Sequence, residues 1–542
     1  MMKLSSLLLL SSYRLSSAKA NSRHHATASS FLSSFISPRL LKLQSIHLNF
    51  IRSTSALIPS SNNAATRFST SNNSSNGEVP AFKDYQPTIV SISDAYDSAN
   101  GELVSVEVVE DEETDVDVRV KVRIREDPYT HLESKTHYQY FSFRSTLHTS
   151  SPQLASLLLN KNNKEHKILR VQYILENAGQ ASYANAFKGY STYYTTKSPF
   201  DNDWDRIETT YDEERGWLVW NHDVDINSGN SAYFAYFPPY SYERHLRLIS
   251  KCAESTECKV HSLGQTLSKR EIDCLTIGTG PKTCWIIHRQ HPGESMAEFY
   301  AEGLLTRLLG LDDNWDRLAQ KAKELYTFKI VPNVNPDGAV NGYLRTNAAG
   351  SNLNREWAPS SAPGEALDGE EQCKVPYDAP SLERSPEVYH ILRHMDETGC
   401  DAFLDIHGDE DLPFNFLAGS QGMPNWSKRL EALHGAFLAS YERANSDMQA
   451  KVSYEPDKPN EGLKNICSNQ IALRFDCFSG TLEMPFKELW KKEGWGADRA
   501  RQLGASVLDP LCYIWPYLRD DEPFWEGLPA EDAYVQPSSK YE

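Results

Sequence analysis

From about residue 81 to residue 232 the apolar positions recur with a period of two. Segments 103–109 and 116–124 alternate apolar with polar side chains, 138–142 is aromatic-rich, and 167–175, 192–195 and 216–220 continue the pattern between Asn, Ser, Gly and Pro turns. Alternation of this kind buries one face of each strand, and several short strands at such spacing predict an antiparallel β-sandwich over 81–232. The stretch 233–242, with two prolines and many aromatics, marks a junction.

Beyond the junction the period changes. A short apolar strand at 283–289 is followed by a helical pattern at 295–309, with Met296, Phe299, Tyr300, Gly303 and Leu304 on one face and Gly310 at its end. Further strands are expected at 326–331, 402–406 and 479–484, alternating with helices near 386–398 and 426–442. This alternation predicts an α/β domain over 233–520, its central sheet mixed but mainly parallel and flanked by helices. In such sheets a ligand site forms beyond the carboxyl ends of the strands. Residues 350–380, rich in Ser, Pro, Gly and Glu, read as a long surface loop, and 521–542 as a carboxy-terminal tail.

Composition sets the leader apart. The first 77 residues hold no Asp or Glu but eight Lys and Arg among many Ser, Ala and Leu, the composition of an organelle transit peptide. Arg67-Phe68-Ser69 near its end favours mitochondrion over plastid; a cytosolic address follows if the segment is not a transit peptide. With those eight residues set aside, 47 basic residues oppose 73 acidic ones, a formal charge near −26 that makes nucleic acid a poor partner. No apolar run is long enough to span a bilayer. The nine cysteines are scattered without C-x-x-C spacing and read as reduced core residues.

The candidate chemistry lies at strand ends. His291-Pro292-Gly293-Glu294 follows the strand at 283–289 and precedes a helix, so a three-residue offset across the turn can aim an imidazole and a carboxylate at one point, as a hydrolytic zinc site requires. Taken alone, H-x-x-E is weak. A third candidate, His407, closes the strand at 402–406 in Asp405-Ile406-His407-Gly408-Asp409, where Asp405 or Asp409 could fix its tautomer. Three protein ligands leave zinc a fourth position for water, which needs a base; Glu483, a carboxylate inside the apolar phrase Thr481-Leu482-Glu483-Met484, is the candidate, unless it forms an ion pair with Arg474. Between these lie the turn signal Asn333-Val334-Asn335-Pro336-Asp337-Gly338, then Arg345, then Asn354-Arg355. Arginines on loops after a strand can polarise a carbonyl or grip a carboxylate, or be ordinary surface residues.

The ordered set His291-x-x-Glu294, Asn335-Pro336-Asp337-Gly338, Arg345, Asn354-Arg355, His407 and Glu483 resembles the zinc carboxypeptidase family, in particular its cytosolic-carboxypeptidase-like branch, over roughly residues 233–517. The upstream sandwich resembles that branch's amino-terminal domain. The resemblance implies one zinc ion held by His291, Glu294 and His407, with Glu483 as the base. It further implies that Arg345 steadies the oxyanion while Asn354 and Arg355 hold the terminal carboxylate of a peptide or protein tail. Two positions depart from the pattern. Where the pancreatic-type enzymes have a Tyr 22 residues before the base, Glu461 stands here; where branch members that shorten polyglutamate have a basic residue about 15 before it, Ser468 stands, with Lys464 and Arg474 nearby. The competing readings are a zinc deacylase of N-acyl amino acids on the same fold, and a non-catalytic partner-binding protein. Oligomeric state and the preferred terminal residue are not legible.

Overall fold

A computed structural model describes residues 88–110, 114–129, 136–160, 168–357 and 379–520. The leader at 1–77, the tail at 521–542 and most of the loop at 350–380 lie outside the described residues.

The amino-terminal part is built of ten strands: β1 (Val90–Ser93), β2 (Glu102–Val108), β3 (Val118–Arg123), β4 (Ser142–Leu147), β5 (Ile168–Leu175), β6 (Thr192–Thr195), β7 (Asp205–Ile207), β8 (Thr209–Asp212), β9 (Trp217–Asp225) and β10 (Ser231–Ala235), with helix α1 (Pro152–Asn160) between β4 and β5. They form two five-stranded sheets, ordered β1-β4-β10-β6-β7 and β2-β3-β5-β9-β8. Every pairing is antiparallel except β3 with β5. That one parallel pair departs from the all-antiparallel expectation, because between β3 and β5 the chain crosses to the other sheet as β4, a connection that a tight hairpin cannot make. The aromatic run at 138–142 is not a strand; β4 begins only at Ser142.

Aromatic side chains fill the space between the sheets. Tyr173 and Phe234 lie 4.6 Å apart by ring centroid, Trp220 stacks on Tyr173 at 5.7 Å, and Phe141 and Phe143 close the cluster. Large rings at strand positions of one parity are what the period-two pattern delivers to an inner face.

The second part holds α2 (Tyr242–Ala253), β11 (Cys258–Gln265), β12 (Glu271–Ile277), β13 (Lys282–His288), α3 (Met296–Leu309), α4 (Arg317–Leu325), β14 (Tyr326–Val331), α5 (Pro336–Asn341), α6 (Pro386–Thr398), β15 (Ala402–Ile406), β16 (Phe416–Gly419), α7 (Lys428–Ala444), α8 (Cys467–Phe475), β17 (Phe478–Glu483), α9 (Ala497–Ser506) and α10 (Leu508–Ile514). Its seven strands run in the order β11-β12-β14-β13-β15-β17-β16. The four central strands β14, β13, β15 and β17 are parallel, and β11, β12 and β16 extend the sheet antiparallel. One face packs on α3, α7, α9 and α10, and the other on α6 and α8. The helices α3 and α9 approach backbone to backbone: a Cβ at Gly303 would fall 1.9 Å from the Arg501 carbonyl oxygen, so only glycine fits.

The predicted junction at 233–242 is itself core. Tyr236, Phe237 and Tyr240 are buried, and the hydrophobic interior runs without a break from the sandwich through them to α3. The Asn335-Pro336-Asp337-Gly338 phrase, expected as a turn, starts α5: the Asn335 side chain accepts from the Gly338 N–H and Pro336 occupies the first turn. Turn residues and helix-start residues are the same residues for the same reasons, so the sequence signal does not separate them.

Candidate metal centre

The strands β13, β15 and β17 are adjacent and parallel, so their carboxyl ends open on one side of the sheet. His288 of β13 lies level with Ile406 of β15, and the His407 and Asp409 N–H groups bond to the carbonyls of Leu482 and Met484 beside Glu483. Three chain segments far apart in sequence thereby deliver His291 and Glu294, His407, and Glu483 to one place.

After β13 the chain reverses sharply at Arg289, a non-glycine residue at φ 59°. That strained backbone is held by its own buried guanidinium, which donates to the carbonyls of Pro292 and Tyr240 and pairs with Glu298 in the first turn of α3. Glu298 also receives Asn333 and His245, and His245 reaches Asp273 on its other side. Burial opposes the charge on His245, but the two carboxylates outweigh it and raise the imidazole to about 9. A buried network of charged and amide side chains thus braces the turn that carries His291 and Glu294.

The Nδ1 atoms of His291 and His407 face each other at 3.1 Å, and the Glu294 carboxylate lies 2.7 Å from the first and 2.9 Å from the second. Each imidazole is oriented from behind: Asn352 Oδ1 is 3.0 Å from His291 Nε2, and Asp405 Oδ2 is 2.9 Å from His407 Nε2. Asn352 Oδ1 and Asp405 Oδ2 thus lie against the two Nε2 atoms, while both Nδ1 atoms and a carboxylate are aimed at one point. Burial pulls His291 down to about 4. At His407 burial acts in the same direction, but Asp405 and Glu294 overcome it and raise the imidazole well above its usual range. The His, Glu, His donor set fits zinc with an open fourth position. Gly408 is required here, since a Cβ would meet Met296 Sδ at 2.6 Å and crowd Glu294, whose Oε2 accepts from the Gly408 N–H at 2.9 Å.

A cavity of about 1420 Å³ opens over this point, and Arg345, Asn354, Arg355 and Glu483 all line it with His291 and Glu294. Glu483 is buried at the end of β17, and its Oε2 has no hydrogen-bond partner among the described residues. Burial, reinforced by Glu294, Asp409 and Glu410, pushes its carboxyl well above the usual carboxylate range, against the opposing pull of His407. Arg474 does not pair with it, being held by Asp396 at 2.6 Å. Asn354 is fixed by the Cys467 N–H to its Oδ1 at 2.8 Å, and Arg355 stands half-buried beside it.

Four participants escaped the sequence reading. Asn352 orients His291, two residues before a pair already singled out. Asp409 proves not to hold His407; it accepts from the backbone of Asp411 and from Tyr454, whose hydroxyl is 2.6 Å away. Tyr454 lines the cavity, whereas Glu461, at the position where the pancreatic-type enzymes have a Tyr, is exposed and outside the lining. Glu410 lines the cavity 6 % exposed, with no cation in ion-pairing distance among the described residues, and Tyr183 reaches the same cavity from the sandwich. Ser468, where a basic residue was sought, also lines it.

Comparison with known proteins follows the same geometry. The zinc carboxypeptidase family matches residues 246–484, and the cytosolic carboxypeptidase N-terminal domain matches residues 162–237. An uncharacterized protein of Zymomonas mobilis is 39% identical over 63% of this chain and 83% of its own, and cytosolic carboxypeptidase 6 of Caenorhabditis elegans is 27% identical over 42% of this chain and 49% of its own. Among solved structures, a metallo-carboxypeptidase from Burkholderia cenocepacia is 34% identical with a TM-score of 0.65, covering 79% of this chain and 99% of that one. A metallo-carboxypeptidase from Pseudomonas aeruginosa, in complex with (2-guanidinoethylmercapto)succinic acid, is 31% identical with a TM-score of 0.64 over 79% and 100%. With near-complete coverage of those structures and a zinc-ligand set at the carboxyl ends of its central strands, the chain belongs to the zinc carboxypeptidase family.

Proposed function

We propose that this protein is a metallocarboxypeptidase that hydrolyses the carboxy-terminal peptide bond of peptides or protein tails. The observation that supports it most directly is the convergence of both Nδ1 atoms and the Glu294 carboxylate in a cavity where Glu483 presents an unpartnered oxygen. Bound at His291, Glu294 and His407, zinc supplies Lewis-acid polarisation and makes a nucleophilic water more acidic. Glu483 takes the proton of that water and returns it to the departing amine, a role suited to a buried carboxyl whose affinity for protons is already raised. Arg345 faces the oxygen on which negative charge develops. Asn354 and Arg355 grip the free terminal carboxylate, which makes the action an exopeptidase's, because a substrate lacking that group forgoes the two-pronged contact with the guanidinium.

The test is a panel of synthetic peptides differing only in their last residue, together with N-acyl amino acids, incubated with zinc-loaded protein and read by mass spectrometry. Release of single carboxy-terminal residues is expected. Release of acyl groups with no shortening of any peptide would reassign the protein as a deacylase. A zinc-bound protein that cleaves nothing in a broad peptide library would favour a partner-binding role.

A further inference from the structure

The cavity over the metal centre is lined by residues from His291 onward with one exception among the described residues: Tyr183, which belongs to the sandwich. It stands at the start of a 3-10 turn between β5 and β6, and its backbone is clamped by the fully buried Gln139, whose amide accepts from the Tyr183 N–H at 3.1 Å and donates to its carbonyl at 3.2 Å. The same turn is braced onto the catalytic part: Phe187 packs on Tyr236, which stacks on Phe486 at 4.5 Å, three residues past Glu483. The charged groups around the Tyr183 phenol are Arg345, Glu410, Glu294 and Asp409, which puts it on the Arg345 side of the cavity.

A second observation points to the same arginine. Asp127, 3 % exposed, accepts from three consecutive backbone N–H groups, those of Leu344, Arg345 and Thr346, at 2.7, 2.8 and 2.9 Å, and from the Thr346 hydroxyl at 3.1 Å. A carboxylate bonded to three successive amides fixes the backbone of that loop far more firmly than a solvent contact would. Two further sandwich residues grip the adjoining α5 segment, through Ser98 Oγ to the Ala339 carbonyl at 2.8 Å and Asn100 Nδ2 to the Gly342 carbonyl at 3.2 Å.

We propose that the amino-terminal sandwich completes the active site: Asp127 positions the loop that carries Arg345, and Tyr183 donates its hydroxyl to the substrate on the Arg345 side of the cavity. The inference rests on the peptidase reading above. It explains why a domain with no constellation of its own is packed against the catalytic part through a continuous core, and it divides the substrate contacts between the two parts. The terminal carboxylate is held by Asn354 and Arg355, and the Arg345 side of the cavity is met from the sandwich.

The experiment compares wild type, Tyr183→Phe, Asp127→Asn, Arg345→Ala and the double variant Asp127→Asn with Arg345→Ala, all zinc-loaded and full-length. Tyr183→Phe is expected to lower kcat/KM on peptides at least tenfold while zinc content, melting temperature and inhibition by the free product amino acid stay as in wild type. The last readout separates a substrate contact from a structural role, which would disturb the carboxylate side as well. Asp127→Asn is expected to cost at least tenfold alone and under twofold in the Arg345→Ala background. Unchanged kcat/KM in Tyr183→Phe, or additive losses for Asp127 and Arg345, would overturn the corresponding half. A hydrolysing wild type with silent variants defeats this inference alone; a zinc-loaded wild type that cleaves no peptide defeats the peptidase reading and this inference together.

Discussion

The two parts of the molecule bury comparable runs of apolar residues yet spend their polar groups differently. In the sandwich, strand polar groups meet mostly backbone, neighbouring hydroxyls and solvent-facing partners, and the interior is a cluster of rings around Trp220. In the α/β part, charged and amide side chains are buried in connected sets beneath the metal centre: Arg289, Glu298, His245 and Asp273 on one side, and Trp357, Gln290, Asp405 and His407 on the other. Parallel strands end together, and the loops that leave them can be pinned from below by such networks, whereas antiparallel strands scatter their ends over both edges. The lesson is that the sandwich is stabilised mainly by area, and the catalytic part by area plus connected polar contacts that set positions.

The sharpest way to break that contrast is at the metal. His407→Ala should abolish zinc binding at one equivalent and with it all hydrolysis, read by metal analysis and peptide cleavage; retained stoichiometric zinc would contradict its role as a ligand. Glu483→Gln should keep zinc yet lower kcat by roughly 10²–10⁴-fold, the range for a lost acid–base group, and near-normal turnover would refute the assignment.

Stability measurements then probe the two interiors. Trp220→Ala should cost about 3–5 kcal/mol in denaturant unfolding, as expected for a large ring removed from a packed core. His245→Asn should cost about 1–3 kcal/mol, because it removes the charged link between Glu298 and Asp273 while Arg289 and Asn333 still hold Glu298. If the histidine variant were as stable as wild type, the network would not be what braces the turn at Arg289.

The smallest effect is conditional on pH. Burial raises the Glu387 carboxyl to about 8; one oxygen accepts from Asn347 at 3.1 Å and the other has no hydrogen-bond partner among the described residues. A carboxyl whose folded value lies above its unfolded one contributes stability that is whole below about 4.5 and is lost as pH climbs through about 8. Glu387→Gln should therefore melt a few degrees higher than wild type at pH 9 and match it at pH 4. An equal offset at both values would show that the side chain is not ionising in place.

The candidate zinc ligands were legible because His407 directly follows an apolar strand, and His291 and Glu294 lie in the turn between another apolar strand and a helix, where polar residues face the opening above the sheet. Glu483 was legible for a related reason, as a carboxylate at the end of a run that otherwise buries everything. What orients them was not. Nothing in the spacing of Asn352 and His291, or of Asp127 and Arg345, marks either pair, since each is joined only when separate segments are packed together.

By itself the chain's pattern of apolar positions determined two sheet systems of different period and the order of the chemical groups along the second. Periodicity is a local property, set by how a strand or helix presents its side chains. Only the tertiary structure decided that Tyr183 and Asp127 stand beside Arg345, that Asp405 and not Asp409 backs His407, and that Tyr454 and not position 461 brings a phenol to the cavity. Those contacts join residues 45 to more than 200 positions apart, or choose between Asp405 and Asp409, each two residues from His407, and choices of either kind are settled by packing alone.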